Sequence, residues 1–259
     1  MIKACAFDVG NTLINDRRLV KEALFDLATW LKENHIIDSE RTFIETYRAI
    51  NRETSGPFLS HTFGEPIFFE ETLKRLRIAD ISVKEVLERY REFLMRRIKP
   101  DDDVIQAFEF LRDKGIKVAL ISNERVVRVK LFIENTGLSD LLDVVVVSEE
   151  VRISKPDPAI FVKASRRLGV ECPEMVMFGD DERADGGGKK LGMKFVLVTA
   201  YKHPEWQWDD GPIVKPDFVI ERVRKTEIKR CLEKFPLESR FTFNFLILQE
   251  LTKFKNDVL

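Results

Sequence analysis

Ile2-Lys3-Ala4-Cys5-Ala6-Phe7-Asp8-Val9-Gly10-Asn11-Thr12 decides how the chain folds. Ile2–Phe7 is short and apolar, without steady polar alternation, the pattern of a strand buried on both faces. It stops at Asp8, and Asp, Gly and Asn in close order make a tight turn. Similar runs recur at Val118–Ser122, Val144–Ser148, Met175–Phe178, Phe195–Val198 and Phe218–Ile220. Helical patterns separate most of them: Val104, Phe108 and Leu111 precede the second strand, and Ile160, Phe161, Ala164 and Leu168 the fourth. Alternating strand and helix predicts an α/β fold with a doubly wound parallel sheet.

The first strand breaks this rhythm. From about Ile14 to Lys99 no strand pattern occurs, and the helical period dominates. Val20, Ala23, Leu24, Leu27, Ala28 and Leu31 fall on one stripe. Ser82 with Glu85 reads as a capping box, followed by Val83, Val86, Leu87, Tyr90, Phe93 and Leu94 on one face, with Pro100 as the stop. The expected organisation is a core of residues 1–14 and 99–224, a helical insertion of residues 15–98, and a C-terminal helical extension of residues 225–259. The insertion would sit over the carboxyl end of the sheet, where open α/β sheets place their ligands. In the extension, Ile228, Cys231, Leu232 and Phe235 read as one helix. The apolar segment Phe241–Leu251 reads as a helix packed on the core, with a homo-oligomer contact as the alternative.

Composition narrows the function. The chain carries 43 Lys+Arg against 44 Asp+Glu, so it has no global basic field for nucleic acid and no polyanionic tail. The charged fraction, 34%, is above the usual quarter, a dense mixed charge also found on thermophile surfaces. Cys5, Cys172 and Cys231 are too scattered for a zinc site or a disulfide framework. No apolar run is long enough to span a bilayer, and Ile2–Phe7 runs straight into polar residues, unlike a signal peptide. A reduced, cytoplasmic protein without membrane or nucleic-acid partners is expected.

Chemistry-bearing residues cluster at the strand ends. Asp8 begins the first turn. Ser122 and Asn123 end the second strand, where a hydroxyl and a backbone N–H can hold a phosphoryl oxygen. Lys155 lies in Ser154-Lys155-Pro156-Asp157-Pro158, whose prolines fix the local backbone and whose cation can neutralise a phosphate and an aspartate together. Gly179-Asp180-Asp181-Glu182-Arg183-Ala184-Asp185 follows the fourth strand, and clustered carboxylates at a strand end are costly unless a cation balances them. Taken singly, each also reads as a capped turn, a helix start or a solvated loop.

Taken in order, the four resemble the motifs of the haloacid dehalogenase-like (HAD) superfamily over about Met1–Val223. Its Asp-x-Asp-x-Thr turn is matched by Asp8-Val9-Gly10-Asn11-Thr12, its strand-end Ser or Thr by Ser122, its Lys by Lys155, and its Gly-Asp with a second Asp by Asp180 and Asp185. The resemblance implies a Rossmann-like core with an inserted α-helical cap, and a magnesium-dependent phosphatase for small phosphorylated metabolites. It implies that Asp8 is the nucleophile and forms an aspartyl-phosphate. Ser122 and Lys155 assist catalytically, and Asn11, Thr12, Ser122, Asn123 and Lys155 contact substrate. Mg2+ is held by Asp8, the Gly10 carbonyl, Asp180 and Asp185.

Gly10 departs from that pattern, because phosphatases of the family carry there a second Asp that protonates the leaving group and later activates water. Such acid–base help is worth ~10²–10⁴-fold in rate. Three readings therefore stand beside the phosphatase. Dehalogenases of the family carry a bulky residue at this position and lack the acid matching Asp180, so Asp180 and Asp185 argue against them. Phosphonatases use a cap lysine, for which Lys21, Lys32 and Lys74 qualify by location. The third is a phosphate-binding member of the family with weak activity. His61 is the cap residue best suited to replace the missing proton donor, with Arg41 and Arg48 as further substrate contacts. The run Gly186-Gly187-Gly188, where the family has a helix, suggests a loose loop that frees Asp185; three helical glycines cost roughly 1 kcal/mol each.

Overall fold

The structure, a computed structural model, describes residues 1–54, 64–202 and 212–235. Six parallel strands form one sheet: β1 (Ala4–Phe7), β2 (Lys117–Ser122), β3 (Val144–Val147), β4 (Met175–Gly179), β5 (Lys194–Val198) and β6 (Phe218–Ile220), in the order β3-β2-β1-β4-β5-β6. Each coincides with one of the six apolar runs. The register sets Phe7 beside Leu120 on one side and Phe178 on the other. The ends of β1, β2 and β4 are thereby level, and β1 lies where the strand order reverses, the position at which such sheets bind ligands.

Burial on both faces explains why the strands read as unbroken apolar runs. Cys5, Phe7, Val118, Leu120, Val176 and Phe178 face one layer, packed on helices α5 (Asp102–Asp113), α6 (Val126–Thr136) and α9 (Lys225–Lys234). Ala4, Ala6, Ala119, Ile121, Met175 and Met177 face the other, packed on α8 (Pro158–Leu168). Phe7 stacks on Phe178 at 4.7 Å between ring centroids, which ties β1 to β4 directly beneath the turn that follows. All three cysteines are free and buried. Burial, with Cys231 nearby, raises the thiol of Cys5, so it is no nucleophile.

Between β1 and β2 the chain forms α1 (Asp16–Glu33), α2 (Glu40–Thr54), α3 (Gly64–Arg75) and α4 (Val83–Met95). Their inward residues, among them Leu24, Leu27, Leu31, Phe43, Phe69, Val86 and Tyr90, make a hydrophobic core of their own. Ser82 caps α4 by accepting the amide of Glu85 at 3.2 Å. That helix ends at Met95, five residues before Pro100, so the proline prevents resumption of the helix and does not itself end it. A short helix, α7 (Ser148–Val151), takes over Ser148 from the expected third strand. Ile228 and Cys231 are buried on α9, with Leu232 and Phe235 packed beside them. The segment Phe241–Leu251 lies outside the described residues, as do Phe58, His61 and Phe63 of the insertion.

Candidate active site

The level strand ends converge on one lysine. Lys155 Nζ donates to Asp8 Oδ1 and to Asp185 Oδ1, both at 2.6 Å, and all three side chains are buried. Thr12, also buried, lies between two carboxylates, its Oγ1 at 3.3 Å from Asp8 Oδ2 and from Asp180 Oδ1. Carboxylate oxygens of Asp8, Asp180 and Asp185 all fall within 4.8 Å of one another. If every group is ionised, three carboxylates and one ammonium leave a formal charge of −2.

Electrostatics records the strain of that excess. Burial, with repulsion from Asp8, Asp185 and Asp181, raises Asp180 well above the ordinary carboxylate range, against a smaller pull from Lys155. Burial pushes Asp185 up to about 7, opposed by Lys155 and aided by Asp8. Burial alone would depress Lys155, but Asp185 and Asp8 outweigh it and raise the ammonium, which stays charged. A dication would cancel the surplus. Three hard oxygen donors of this kind, from Asp8, Asp180 and Asp185, could hold a hard divalent cation.

Local structure aims each side chain. Asp8 N donates to Phe178 O at 2.9 Å, extending the β1–β4 ladder one residue into the turn. Asn11 takes the left-handed conformation at φ 55°, which Asn tolerates better than most residues, and its Oδ1 accepts the amide of Arg17. Asp181 accepts the amides of Arg183 and Ala184, while its own N–H donates to Asp185 Oδ2 at 3.1 Å. Ser122 is fully buried at the end of β2, and its Oγ accepts the amide of Glu124 at 3.1 Å, which turns the chain toward α6.

Two features were not legible in the sequence. The Asn123 side chain is spent on the Lys155 backbone: its Nδ2 donates to Lys155 O at 2.9 Å and its Oδ1 accepts Lys155 N at 2.8 Å. It therefore positions the lysine loop. The glycine run is tightly held, contrary to the expected loose loop. It lies in a 3₁₀ turn, Asp185–Leu191, with Gly186, Gly187 and Gly188 all buried. A Cβ at Gly186 would fall 2.5 Å from Val214 Cβ, at Gly187 2.6 Å from Pro156 O, and at Gly188 2.7 Å from Met193 Sδ. At Gly186 and Gly187 the neighbours are a Cβ and a backbone carbonyl, so glycine is required there by close approach, and the buried turn holds Asp185 in place.

Among the insertion residues, Arg41 is exposed and pairs with Glu45, and Arg48 is exposed. Lys21, Lys32 and Lys74 are exposed as well, Lys32 facing Glu40 and Lys74 facing Glu71. These are solvated helix residues and not a buried amine of the kind a Schiff base needs.

Comparison with known proteins agrees with the geometry. Residues 2–192 match the haloacid dehalogenase-like hydrolase family. The chain is similar to a glyceraldehyde 3-phosphate phosphatase of Methanopyrus kandleri, 31% identical over 87% of this chain and 95% of the relative. It is also similar to the pyrophosphatase PpaX of Bacillus cereus, 25% identical over 86% and 93%. Among solved structures, a HAD phosphatase from Thermococcus onnurineus superimposes with a TM-score of 0.65 at 27% identity, covering 89% of this chain and 98% of that one.

Proposed function

The chain belongs to the haloacid dehalogenase-like hydrolases and acts on phosphate esters, and from that premise we propose that it is a magnesium-dependent phosphatase of small phosphorylated metabolites working through an aspartyl-phosphate on Asp8. The observation that carries the proposal is the cluster of three carboxylates, two of them buried against Lys155, whose surplus negative charge calls for a dication and whose one cation lies against Asp8. The relatives point to the same substrate class, being named for glyceraldehyde 3-phosphate and for pyrophosphate.

Asp8, held between Lys155 and Thr12, attacks phosphorus and displaces the leaving group. Lys155 neutralises charge developing on the phosphoryl oxygens, and backbone N–H groups beside Ser122 and Asn123 hold those oxygens. Magnesium, when bound, supplies Lewis-acid polarisation of the phosphoryl group and balances the carboxylates. The helical insertion acts as a cap that excludes bulk water and selects the substrate. The proposed location is the cytoplasm. Among the described residues no helix is long and apolar enough to cross a membrane.

A phosphate-release screen over many phosphorylated metabolites, with magnesium and with EDTA, tests the reading. Release that needs magnesium supports it. Full release after exhaustive chelation overturns the metal assignment, and halide release from a 2-haloacid without phosphate release favours the dehalogenase.

A further inference from the structure

We propose that Glu124 supplies the carboxylate that Gly10 lacks, acting as the general base that activates water against the aspartyl-phosphate; this rests on the phosphatase reading above. The space beside Gly10 is approached by an acid from another element. A Cβ built on Gly10 would have Glu124 Oε1 as its nearest neighbour, at 3.5 Å, followed by Asp16 Cβ at 3.7 Å. A carboxylate thus occupies the neighbourhood into which a side chain at position 10 would project.

The sequence delivers Glu124 there by a short mechanical route. β2 ends at Ser122, level with the turn after β1, and Ser122 Oγ pins the amide of Glu124 at 3.1 Å. Arg128, one helical turn later, donates to Glu124 Oε2 at 3.0 Å, and its other terminal nitrogen pairs with Asp16 at the start of α1. Arg128 thus holds one carboxylate oxygen of Glu124, while the other, Oε1, stands beside Gly10. Gly10, Asp16, Glu124 and Arg128, with Leu94 and Ile98 from the insertion side, line a small cavity roomy enough for a water molecule.

The step balances. The water oxygen forms a bond to phosphorus, and the bond from phosphorus to the Asp8 oxygen breaks, its electron pair returning to the Asp8 carboxylate. One water proton passes to Glu124, inorganic phosphate departs, and Glu124 then releases the proton to solvent. Only the second half of the reaction needs this base. The first half, with a good leaving group, does not.

The test uses the full-length protein, magnesium and p-nitrophenyl phosphate in stopped flow. Glu124→Gln should give a burst of about one nitrophenolate per enzyme, then a steady state slower by ~10²-fold or more, the usual range for lost acid–base help. Mass spectrometry should find phosphate trapped on Asp8. Gly10→Asp added to Glu124→Gln should recover at least ~10-fold of the steady-state rate, because the replaced function is a carboxylate in that same space. Wild-type turnover in Glu124→Gln overturns the proposal, as does equal slowing of both phases without trapped phosphate, which is how a purely structural contact behaves. A wild type that neither releases nitrophenolate nor carries phosphate on Asp8 overturns the phosphatase reading itself.

Discussion

The Cα of Gly179 rests against the carboxylate of Asp185, so closely that a methyl group at position 179 would lie 2.0 Å from Asp185 Oδ2. The last residue of β4 is thus required to be glycine by a side chain that must reach Lys155. Gly179→Ala is expected to displace Asp185, weaken magnesium binding and destabilise the fold by ~1–3 kcal/mol, the usual cost of overpacking. Thermal unfolding and calorimetric magnesium titration check this. Unchanged affinity together with unchanged stability would show that Asp185 has room to move.

Asp8→Asn keeps the shape of the proposed nucleophile and removes its reactivity. Activity should fall below about one per cent of wild type while the circular dichroism spectrum stays native, since loss of such a residue usually costs several orders of magnitude. Residual turnover above that level, in protein free of wild-type contamination, would remove Asp8 from the nucleophile role.

Asp180 is only partly buried and has Thr12 as its hydrogen-bond partner within the cluster, and its proposed task there is to hold the metal. Asp180→Ala should weaken magnesium binding with little loss of metal-free stability. In the wild type, magnesium at 100 times its dissociation constant should raise unfolding stability by about 2.7 kcal/mol, and the mutant should lose most of that at equal concentration. An identical magnesium-induced rise in both proteins would contradict the ligand assignment.

Asp185 also sets a pH dependence whose sign is fixed. Burial pushes its carboxyl up to about 7 in the folded chain, against roughly 3.9 unfolded. Between those values the metal-free folded state binds the extra proton, so this group's contribution to stability falls as pH rises from about 4 to 7 and is flat above. Urea unfolding in chelator across that window should show a downward component that Asp185→Asn lacks. With magnesium present the component should reverse, because the metal needs the ionised carboxylate. Parallel pH profiles for mutant and wild type, in chelator, would show that Asp185 titrates normally.

What could be read from the sequence follows from the range of the forces involved. Strands buried on both faces must be apolar throughout, so Ile2–Phe7, Val118–Ser122 and Met175–Phe178 were legible one by one. Asp8, Ser122 and Asp180 were legible because each ends its strand or directly follows it. Contacts made after folding left no local trace. Gly187 is glycine because Pro156 O lies over it, Asn123 is occupied by the Lys155 backbone, and Glu124 comes near Gly10 only through the pairing of β1 with β2. The helical period read correctly for α1 and α4, whereas the residue that ends α4 was misplaced at Pro100, since a helix can stop before the residue that forbids its continuation.

Gly10 gives the sharpest mutational test, because the structure removes the steric objection to replacing it. Its φ is not in the left-handed region, and the nearest atom to an added Cβ stands at 3.5 Å, ordinary van der Waals contact. The backbone and a Cβ are therefore accommodated at position 10, and Gly10→Asp should change the chemistry. The nearby acids Glu124 and Asp16 disfavour ionisation of a new carboxylate, which suits a general acid that must carry a proton to an alkoxide. Phenolate leaves without a proton and gains little. The ratio of kcat/KM for an alkyl phosphate over p-nitrophenyl phosphate should consequently rise at least ~10-fold in the mutant, the lower part of the range for acid catalysis. A uniform fall on both substrates would mean that the new side chain disturbs the turn that presents Asp8. Equal single-turnover rates on the two substrates in the wild type would mean that a proton donor already serves the leaving group, and that position 10 is not where this enzyme lacks one.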